Sequence, residues 1–236
     1  MRGIIIAAGS GSRLGTLTQD RPKCLLSFGG KPLLQHQLDA FSASGITDVS
    51  IIVGYQREKI AFPYLTYYYN DRYQYNNILH SLLYARPVMD GAFLASYSDI
   101  LFDPSIVSQL MNTPGDIVLV VDTDWKRSYI GRTDHPYAQA EKALIDQRGR
   151  LASIGKKSPD PDTATGEFIG LLKCSAKGAQ LFTTYFTQAQ RLFEGKPFYE
   201  AATFERAYLT DFFQYLTDQG VPVTCLLIRG GWYEID

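Results

Sequence analysis

The residues best suited to chemistry stand at the start of the chain. A run typical of a buried strand, Gly3-Ile4-Ile5-Ile6-Ala7-Ala8, leads directly into Gly9-Ser10-Gly11-Ser12-Arg13, and Arg21-Pro22-Lys23 follows. Glycines placed straight after a buried strand let backbone N–H groups approach an anion with no Cβ in the way. Because Arg13 and Lys23 add positive charge, this loop predicts a binding site for a triphosphate.

Spacing separates this loop from two commoner phosphate loops. The dinucleotide fingerprint requires a third glycine at the position of Leu14, with a helix beginning at once. The P-loop of NTPases requires Ser or Thr after Gly-Lys, but Pro32 follows Gly30-Lys31, and Leu25 stands where its first glycine should be. Both patterns are excluded, and the alternative to a triphosphate loop is an ordinary flexible turn.

A carboxylate follows another strand of the predicted sheet. Ser98-Asp99 comes directly after the strand-like run 92–97, and open α/β sheets bind their ligands at the carboxyl ends of strands. Mg²⁺ takes carboxylate oxygens together with substrate phosphates. We therefore expect Asp99 to be a Mg²⁺ ligand; the alternative is that it caps the turn before Asp103-Pro104.

The strands and helices that must position these residues alternate along the chain. Strand-like runs lie at 3–8, 49–53, 65–69, 92–97 and 117–121, and helix-like segments lie at 32–43, 77–86 and 104–112. This alternation predicts an α/β fold, a three-layer α/β/α sandwich around a mixed, mostly parallel, Rossmann-like sheet. We expect one domain over 1–236, with 1–121 mainly binding nucleotide and 122–236 mainly binding an acceptor.

The second half has a different pattern. Segments 137–145 and 151–154 flank Gln147-Arg148-Gly149-Arg150, which predicts a β-hairpin. A further strand is predicted over 167–173, helices over 176–186 and 204–219, and a late strand over 223–228. This half should therefore add a small β-rich subregion to the fold.

Composition limits the classes of partner. The net charge of −1 gives no global basic field, so a nucleic acid is not expected. The 3 cysteines are too few and too scattered for a disulfide framework or a zinc site. Since no apolar run approaches the length of a membrane span and no signal peptide is evident, we expect a cytoplasmic protein away from the membrane, with a homodimer left open.

The ordered set Ala-Ala-Gly-x-Gly-x-Arg, Arg-Pro-Lys and Gly-Lys-Pro-Leu resembles the nucleotidyltransferase family that makes nucleoside-diphosphate sugars and alcohols. The resemblance implies that the loop wraps the triphosphate and that Ser98 lies beside the nucleotide. It further implies that Arg13 holds the leaving pyrophosphate and that Lys23 contacts the reacting α-phosphate. The loop residues assigned to the nucleotide are Ala7, Ala8, Gly9, Ser10 and Gly11.

Two later segments resemble the cytidylyltransferase branch of that family. Asn77 and Ser81 lie four residues apart on one helix face, and the resemblance implies that they read the base; otherwise they are a helix cap and a surface serine. Trp232-Tyr233-Glu234-Ile235-Asp236 resembles the Trp-x-Glu-Ile-Asp ending of that branch. The resemblance implies that Asp236 joins Asp99 on Mg²⁺; the alternative is a disordered acidic tail.

Charged and aromatic residues concentrate over 122–142, which includes Asp122, Trp125, Tyr129 and Glu141. An aromatic face can hold an ammonium through cation–π attraction of ~0.5–2 kcal/mol, and a carboxylate can pair with it. These residues are therefore candidates for binding an acceptor with a positive head group. The alternative is a solvated loop whose aromatic residues cover the sheet edge.

The same run, together with the segments around Lys156 and Glu167, resembles the acceptor half of phosphocholine and 2-aminoethylphosphonate cytidylyltransferases. It is more similar to the latter, through Trp-(x)₃-Tyr-x-Gly-Arg and Ala-Glu-Lys. Lys156-Lys157-Ser158-Pro159 replaces the Glu-Lys-Pro usual in sugar-phosphate relatives. The resemblance implies that Lys156 or Lys157 neutralises the acceptor phosphate and that Glu167 and Trp232 line its site; solvated lysines are the alternative.

These inferences predict a Mg²⁺-dependent cytidylyltransferase. It would transfer CMP from CTP to a small zwitterionic phosphonate or phosphate, with 2-aminoethylphosphonate favoured over phosphocholine, and release pyrophosphate. Catalysis is assigned to Arg13, Lys23 and Lys156. The alternatives are a sugar-1-phosphate nucleotidylyltransferase using UTP or dTTP, and a non-catalytic nucleotide-binding regulatory subunit.

Overall fold

The computed structural model describes residues 1–131 and 137–235 of the chain. Within these residues the strands are β1 Arg2–Ala7, β2 Ser27–Phe28, β3 Lys31–Pro32, β4 Val49–Val53, β5 Leu65–Tyr69, β6 Phe93–Tyr97, β7 Ile100–Phe102, β8 Ile117–Asp122, β9 Lys142–Ile145, β10 Leu151–Gly155, β11 Gly166–Cys174, β12 Val223–Ile228 and β13 Trp232–Glu234. The α-helices are α1 Leu33–Ala43, α2 Ile78–Leu83, α3 Pro104–Asn112, α4 Ala176–Phe193 and α5 Leu209–Asp218.

The main sheet runs in the order β5, β4, β1, β6, β11, β8 and β12. All of these strands are parallel except β11, which is antiparallel to both of its neighbours. The β9–β10 hairpin joins the amino end of β11 through Gly166 and Glu167. Because β11 runs in reverse, its amino end lies at the same edge of the sheet as the carboxyl ends of β1, β6 and β8.

Buried apolar residues form a core on each face of the sheet. Leu34 and Phe41 of α1 and Leu110 of α3 pack on one face, while Leu82 of α2 and residues of α4 and α5 such as Phe182 and Phe213 pack on the other. The central strands are buried on both faces, as their continuous apolar sequences predict. The predicted three-layer α/β/α sandwich with a mostly parallel sheet is confirmed.

Several element boundaries differ from those predicted. The segment 137–141 was expected to be a strand, but Tyr137–Gln139 is a 3₁₀ turn and β9 begins only at Lys142. The predicted helix 204–219 is divided into the 3₁₀ turn Phe204–Arg206 and α5. The division arises because the Asp211 carboxylate accepts the Tyr208 N–H in a capping box, which starts a new helix.

Two further helices differ in length. Helix α2 ends at Leu83, short of the predicted 86, and α4 continues to Phe193, well past the predicted 186. Among the helices that the structure describes, none is long and apolar enough to cross a bilayer.

Candidate active site

A cavity of about 310 Å³ opens at the edge of the sheet where β1 and β6 end and β11 begins. Parallel strands present their carboxyl ends at one edge, so the loops that follow β1 and β6 meet there. The cavity brings together eleven of the predicted site residues from distant parts of the sequence. They are Gly9, Gly11, Arg13, Lys23, Asn77, Ser98, Asp99, Glu141, Lys156, Glu167 and Trp232.

The glycine loop reaches the cavity through Gly9 and Gly11. Gly11 adopts a left-handed conformation with φ of 62°, and its carbonyl accepts a hydrogen bond of 2.8 Å from the Thr18 hydroxyl. A Cβ on Gly11 would lie 3.2 Å from Cβ of Lys23. A side chain at Gly11 would therefore strain the backbone and crowd the neighbouring lysine.

The other loop residues assigned to the nucleotide lie differently. Ala7 and Ala8 are buried at the end of β1 and do not line the cavity, while Ser10 is exposed outside it. The Ala8 carbonyl accepts a 3.1 Å hydrogen bond from the Tyr55 N–H. Ala7 and Ala8 therefore anchor the loop to the sheet in this structure, and their contact with a nucleotide stays a prediction.

Lys23 and Asp99 form an ion pair inside the cavity. The Lys23 ammonium lies 3.0 Å from Oδ2 of Asp99, and the Lys23 side chain is only 9% exposed. The second oxygen of Asp99, Oδ1, is buried with no hydrogen-bond partner among the described residues. A carboxylate oxygen left in this state is available to a cation.

A buried amide fixes the turn that carries Ser98 and Asp99. Nε2 of Gln37 donates to the carbonyl of Tyr97 at 2.7 Å and to that of Ile100 at 2.6 Å. Its Oε1 accepts from the Ser96 hydroxyl at 3.0 Å. One side chain from α1 thus holds residues on both sides of the turn, so Asp99 has a defined position before any ligand binds.

The structure places Asn77 and Ser81 in different surroundings. Asn77 lines the cavity and caps α2, accepting a hydrogen bond of 2.8 Å from the Ile78 N–H. Ser81 is buried behind it and accepts from the Asn70 amide at 2.9 Å. Asn77 is therefore placed to meet a ligand, whereas Ser81 does not line the cavity and its predicted role in base reading remains untested.

The far wall of the cavity carries Glu141, Tyr97 and Lys156. The Tyr97 hydroxyl donates to Oε2 of Glu141 at 3.1 Å, and the Lys156 ammonium lies 4.0 Å from Oε1. The same ammonium lies 4.1 Å from the centre of the Tyr208 ring. Burial raises the pKa of Glu141 to about 7, because the nearby lysine and hydroxyl only partly compensate the lost hydration.

Glu167 is the second residue of β11 and lines the same cavity as Glu141. Its Oε1 accepts a 2.5 Å hydrogen bond from the Tyr129 hydroxyl, and its Oε2 is buried with no partner among the described residues. Burial raises the pKa of Glu167 to about 8, with the carboxylates of Glu234 and Glu141 adding to the effect. A positive charge placed against this wall would therefore stabilise the ionised form of its carboxylates.

Asp122 and Trp125 do not line the cavity. The Asp122 carboxylate is buried and accepts hydrogen bonds from the Trp232 indole at 2.8 Å and from the Gly230 and Asp124 N–H groups at 2.9 Å each. Trp125 packs with Tyr129 in a small apolar cluster. Both residues support the cavity wall from behind, and Tyr129 reaches the site through its bond to Glu167.

Trp232 is the first residue of β13. This strand pairs with β7, which begins directly after Asp99, the predicted Mg²⁺ ligand. The indole lines the cavity, and the Ile235 N–H donates to the carbonyl of Asp99 at 2.9 Å. The residue that follows β13 is therefore hydrogen-bonded directly to the backbone of Asp99. The second predicted metal ligand, Asp236, lies outside the described residues.

The cavity residues that were not assigned from the sequence include Tyr97, Gln139, Tyr208 and Glu234. Tyr97 directly precedes Ser98, and Glu234 stands inside the Trp-x-Glu-Ile-Asp pattern, so adjacency to assigned residues was an available signal. Gln139 lies within the 122–142 run. Tyr208 carried no such signal, because only the fold brings the start of α5 to Lys156.

Known proteins resemble all or part of this chain. A phosphoglutamine cytidylyltransferase from Campylobacter jejuni is 29% identical across 100% of this chain and 96% of its own. A 2-aminoethylphosphonate cytidylyltransferase from Lancefieldella rimae is 25% identical over 80% of this chain and 72% of its own. A choline-phosphate cytidylyltransferase from Streptococcus pneumoniae is 35% identical over 43% of this chain and 46% of its own.

The fold is also shared with solved structures. The inositol-1-phosphate CTP transferase of Thermotoga maritima superposes with a TM-score of 0.75 at 21% identity, covering 100% of this chain and 89% of that one. The resemblance to nucleotidyltransferases of the CTP-dependent branch is confirmed by these relatives. Residues 3–221 match the MobA-like NTP transferase domain. The chain therefore belongs to the family of MobA-like NTP transferases.

Proposed function

We propose that this protein is a cytidylyltransferase that transfers CMP from CTP to a small phosphonate or phosphate bearing an amino group, with release of pyrophosphate. The observation that carries the proposal is a single cavity with two chemically different walls. One wall holds the glycine loop, Lys23 and Asp99, and the other holds Lys156 with Glu141 and Glu167. Two relatives named as cytidylyltransferases, which match 100% and 80% of this chain, support the same reaction.

The reaction needs positioning more than a strong base. An oxygen of the acceptor attacks the α-phosphorus of CTP in line, a new P–O bond forms, and the bond to the bridging oxygen of the β-phosphate breaks. The acceptor is already largely ionised near pH 7, because the second pKa of a phosphate is about 6. We assign Arg13 to the leaving pyrophosphate and Lys23 to the α-phosphate, where positive charge stabilises the transition state.

The residues present fit a Mg²⁺ ion on the nucleotide side of the cavity. The buried, unpartnered Oδ1 of Asp99 is a hard oxygen ligand, and Asp99 lines the same cavity as the glycine loop. No group of three or more His, Cys, Asp or Glu side chains forms a metal-binding cluster in the described part of the chain. A Mg²⁺ ion held by one or two carboxylates would take further ligands from the substrate phosphates. When bound, Mg²⁺ would neutralise phosphate charge, held by Asp99 and, we propose, by Asp236.

The acceptor wall favours a primary ammonium. Glu167 has an unpartnered buried oxygen, and Glu141 has a carboxylate 4.0 Å from Lys156. A primary ammonium has N–H donors for such oxygens, whereas a trimethylammonium has none. Lys156 can meet the phosphonate at the other end of the same molecule. We therefore propose 2-aminoethylphosphonate as the first acceptor and phosphocholine as the next.

The relative from Campylobacter jejuni supports a third acceptor. Phosphoglutamine carries an amino group and also a carboxylate, and the Campylobacter protein named for it matches this chain over its full length. The carboxylate would require a further cation. Among the described residues that line the cavity the basic side chains are Arg13, Lys23 and Lys156, and two of these are assigned to the nucleotide. We rank phosphoglutamine behind the aminophosphonate for this reason.

A sugar-1-phosphate nucleotidylyltransferase using UTP or dTTP is less consistent with this wall. A neutral polyol would offer no positive charge to Glu167, whose Oε2 is buried with no partner among the described residues. A non-catalytic regulatory subunit would have no use for the Lys23–Asp99 pair inside the cavity.

The deciding experiment measures pyrophosphate release with Mg²⁺. CTP, UTP and ATP are each combined with 2-aminoethylphosphonate, phosphoethanolamine, phosphocholine, phosphoglutamine and glucose-1-phosphate. We expect the highest kcat/KM for CTP with a primary-amine acceptor, and a weakened response to Mg²⁺ in Asp99→Asn. A preference for glucose-1-phosphate would contradict the proposed acceptor, and no release with any pair would contradict catalysis.

A further inference from the structure

Both backbone polar groups of Lys156, its N–H and its carbonyl, are hydrogen-bonded to charged side chains. The Glu200 carboxylate accepts from the Lys156 N–H at 2.9 Å. The ammonium of Lys142, which is 1% exposed, donates to the Lys156 carbonyl. Loop residues more often satisfy these groups with water or with neighbouring backbone. A loop held by a buried lysine and a half-buried carboxylate has an unusually fixed position.

The contact with Glu200 extends beyond one residue. Its Oε2 receives the Lys156 N–H, while its Oε1 receives the N–H groups of Lys157 at 2.7 Å and Ser158 at 3.2 Å. The preceding residue, Gly155, leaves the space that this carboxylate fills, since a Cβ there would lie 2.5 Å from Oε1 of Glu200. The loop and the carboxylate are therefore fitted to each other.

Glu200 is held in turn by Asp211, which is buried in the first turn of α5. Oδ1 of Asp211 accepts the Glu200 N–H at 2.9 Å, and Oδ2 accepts the Tyr208 N–H at 2.7 Å. The Tyr208 ring lies 4.1 Å from the ammonium of Lys156. One buried carboxylate thus fixes two of the residues that hold Lys156, Glu200 at its backbone and Tyr208 at its charged end.

We propose that Glu200 is a positioning residue for the transfer reaction, acting through Lys156. This inference rests on the proposed function, in which Lys156 neutralises the acceptor phosphonate. The Lys156 side chain is long and flexible, so its reach into the cavity depends on where its Cα is held. Glu200 supplies that constraint from outside the cavity, without itself lining it.

Glu200→Gln tests the proposal with almost no change in shape. Both carboxylate oxygens act as acceptors, so an amide nitrogen at either position would face an N–H donor. We expect kcat/KM for the acceptor to fall about 10–100-fold, with the KM for CTP little changed. The matched control is Glu205→Gln, in the same segment, where the carboxylate accepts from the Gly195 N–H; its activity should stay within about two-fold of wild type.

A double-mutant cycle separates positioning from general loss of structure. In a Lys156→Ala background, Glu200→Gln should cost little, because both substitutions remove the same function. An equal cost in both backgrounds would overturn the proposal, as would an active, folded Glu200→Gln enzyme with normal acceptor kinetics.

Hydrogen exchange of the 155–159 segment provides a readout independent of activity. Glu200→Gln should accelerate exchange at the amides of Lys156, Lys157 and Ser158, while Glu205→Gln should not. Unchanged exchange would overturn the anchoring role. Wild-type protein that releases no pyrophosphate with any acceptor would instead contradict the proposed function, and the exchange result would still report on the anchor.

Discussion

Lys23 comes from the segment after the glycine loop, yet its ammonium lies 3.0 Å from a carboxylate of Asp99, 76 residues further along the chain. The side chain is almost fully buried, so its charge acts in a medium where it is poorly screened. Burying a lysine beside a single carboxylate is worth little to the stability of a fold. Its placement is better explained by a phosphate ligand.

Lys23→Ala should therefore lower turnover by ~10²–10³ while leaving the fold intact, because the lost charge acts mainly on the transition state. Steady-state rates of pyrophosphate release give the turnover, and thermal unfolding reports on the fold. Lys31→Ala is the matched control, since Lys31 lies in the next motif but pairs with Asp39 on the surface. A folded Lys23→Ala enzyme with near-normal turnover would remove Lys23 from the reaction.

Individual residues also show where sequence patterns are ambiguous. The motif around Arg13 and Lys23 could be recognised because spacing relative to a buried strand determines what a loop can bind. The run containing Asp122 and Trp125 could not be resolved in the same way. Acidic and aromatic residues interact with each other as readily as with a ligand, and here Asp122 accepts from the Trp232 indole, a partner 110 residues away.

At the scale of elements, β13 shows how a short strand can be positioned by one side chain. Three residues give no readable alternation, so the sequence did not predict this strand. It is held by pairing with β7 and by the buried Asp122, which receives three N–H groups at the start of β13 and at Asp124. Through Ile235, the same strand is bonded to Asp99.

Asp122→Asn should destabilise the protein by about 1–3 kcal/mol, because an amide nitrogen would face an N–H donor in a buried site. Since β13 also presents Trp232 to the cavity, we expect a higher KM for the acceptor as well. Urea unfolding and acceptor kinetics measure the two effects. Asp124→Asn, at an exposed neighbouring position, is the control. Equal stability of the two variants would show that Asp122 does not anchor the strand.

At the scale of the whole molecule, the layers of the fold could be predicted from the sequence. Which loops meet at the cavity could be predicted less well. Buried strands such as β1 and β8 are continuous apolar runs, which local composition reveals. The reversed direction of β11 is a property of the complete sheet. That reversal brings Glu167 to the edge where β1 and β6 end, and only long-range pairing could show that it meets Glu141 there.

Because Glu167 is buried in the cavity wall, we expect the stability of the whole protein to depend on pH. Burial raises the pKa of Glu167 to about 8 from an ordinary value of 4.5. Between these values the folded protein binds more protons than the unfolded chain, so the free energy of unfolding falls as the pH rises. The stabilisation from protonated Glu167 is fully present below about pH 4.5 and is lost as the pH passes 8.

Glu167→Gln should remove this contribution, because the amide stays neutral at every pH and can still accept from Tyr129. Between pH 5 and about 8.5, wild type should lose on the order of 3 kcal/mol more than the variant, measured by urea unfolding at several pH values. Glu58→Gln, at an exposed position, should follow wild type. Parallel curves for wild type and Glu167→Gln would mean that Glu167 ionises normally. A primary-amine acceptor should reduce the wild-type loss at high pH, because its ammonium would stabilise the ionised form of Glu167.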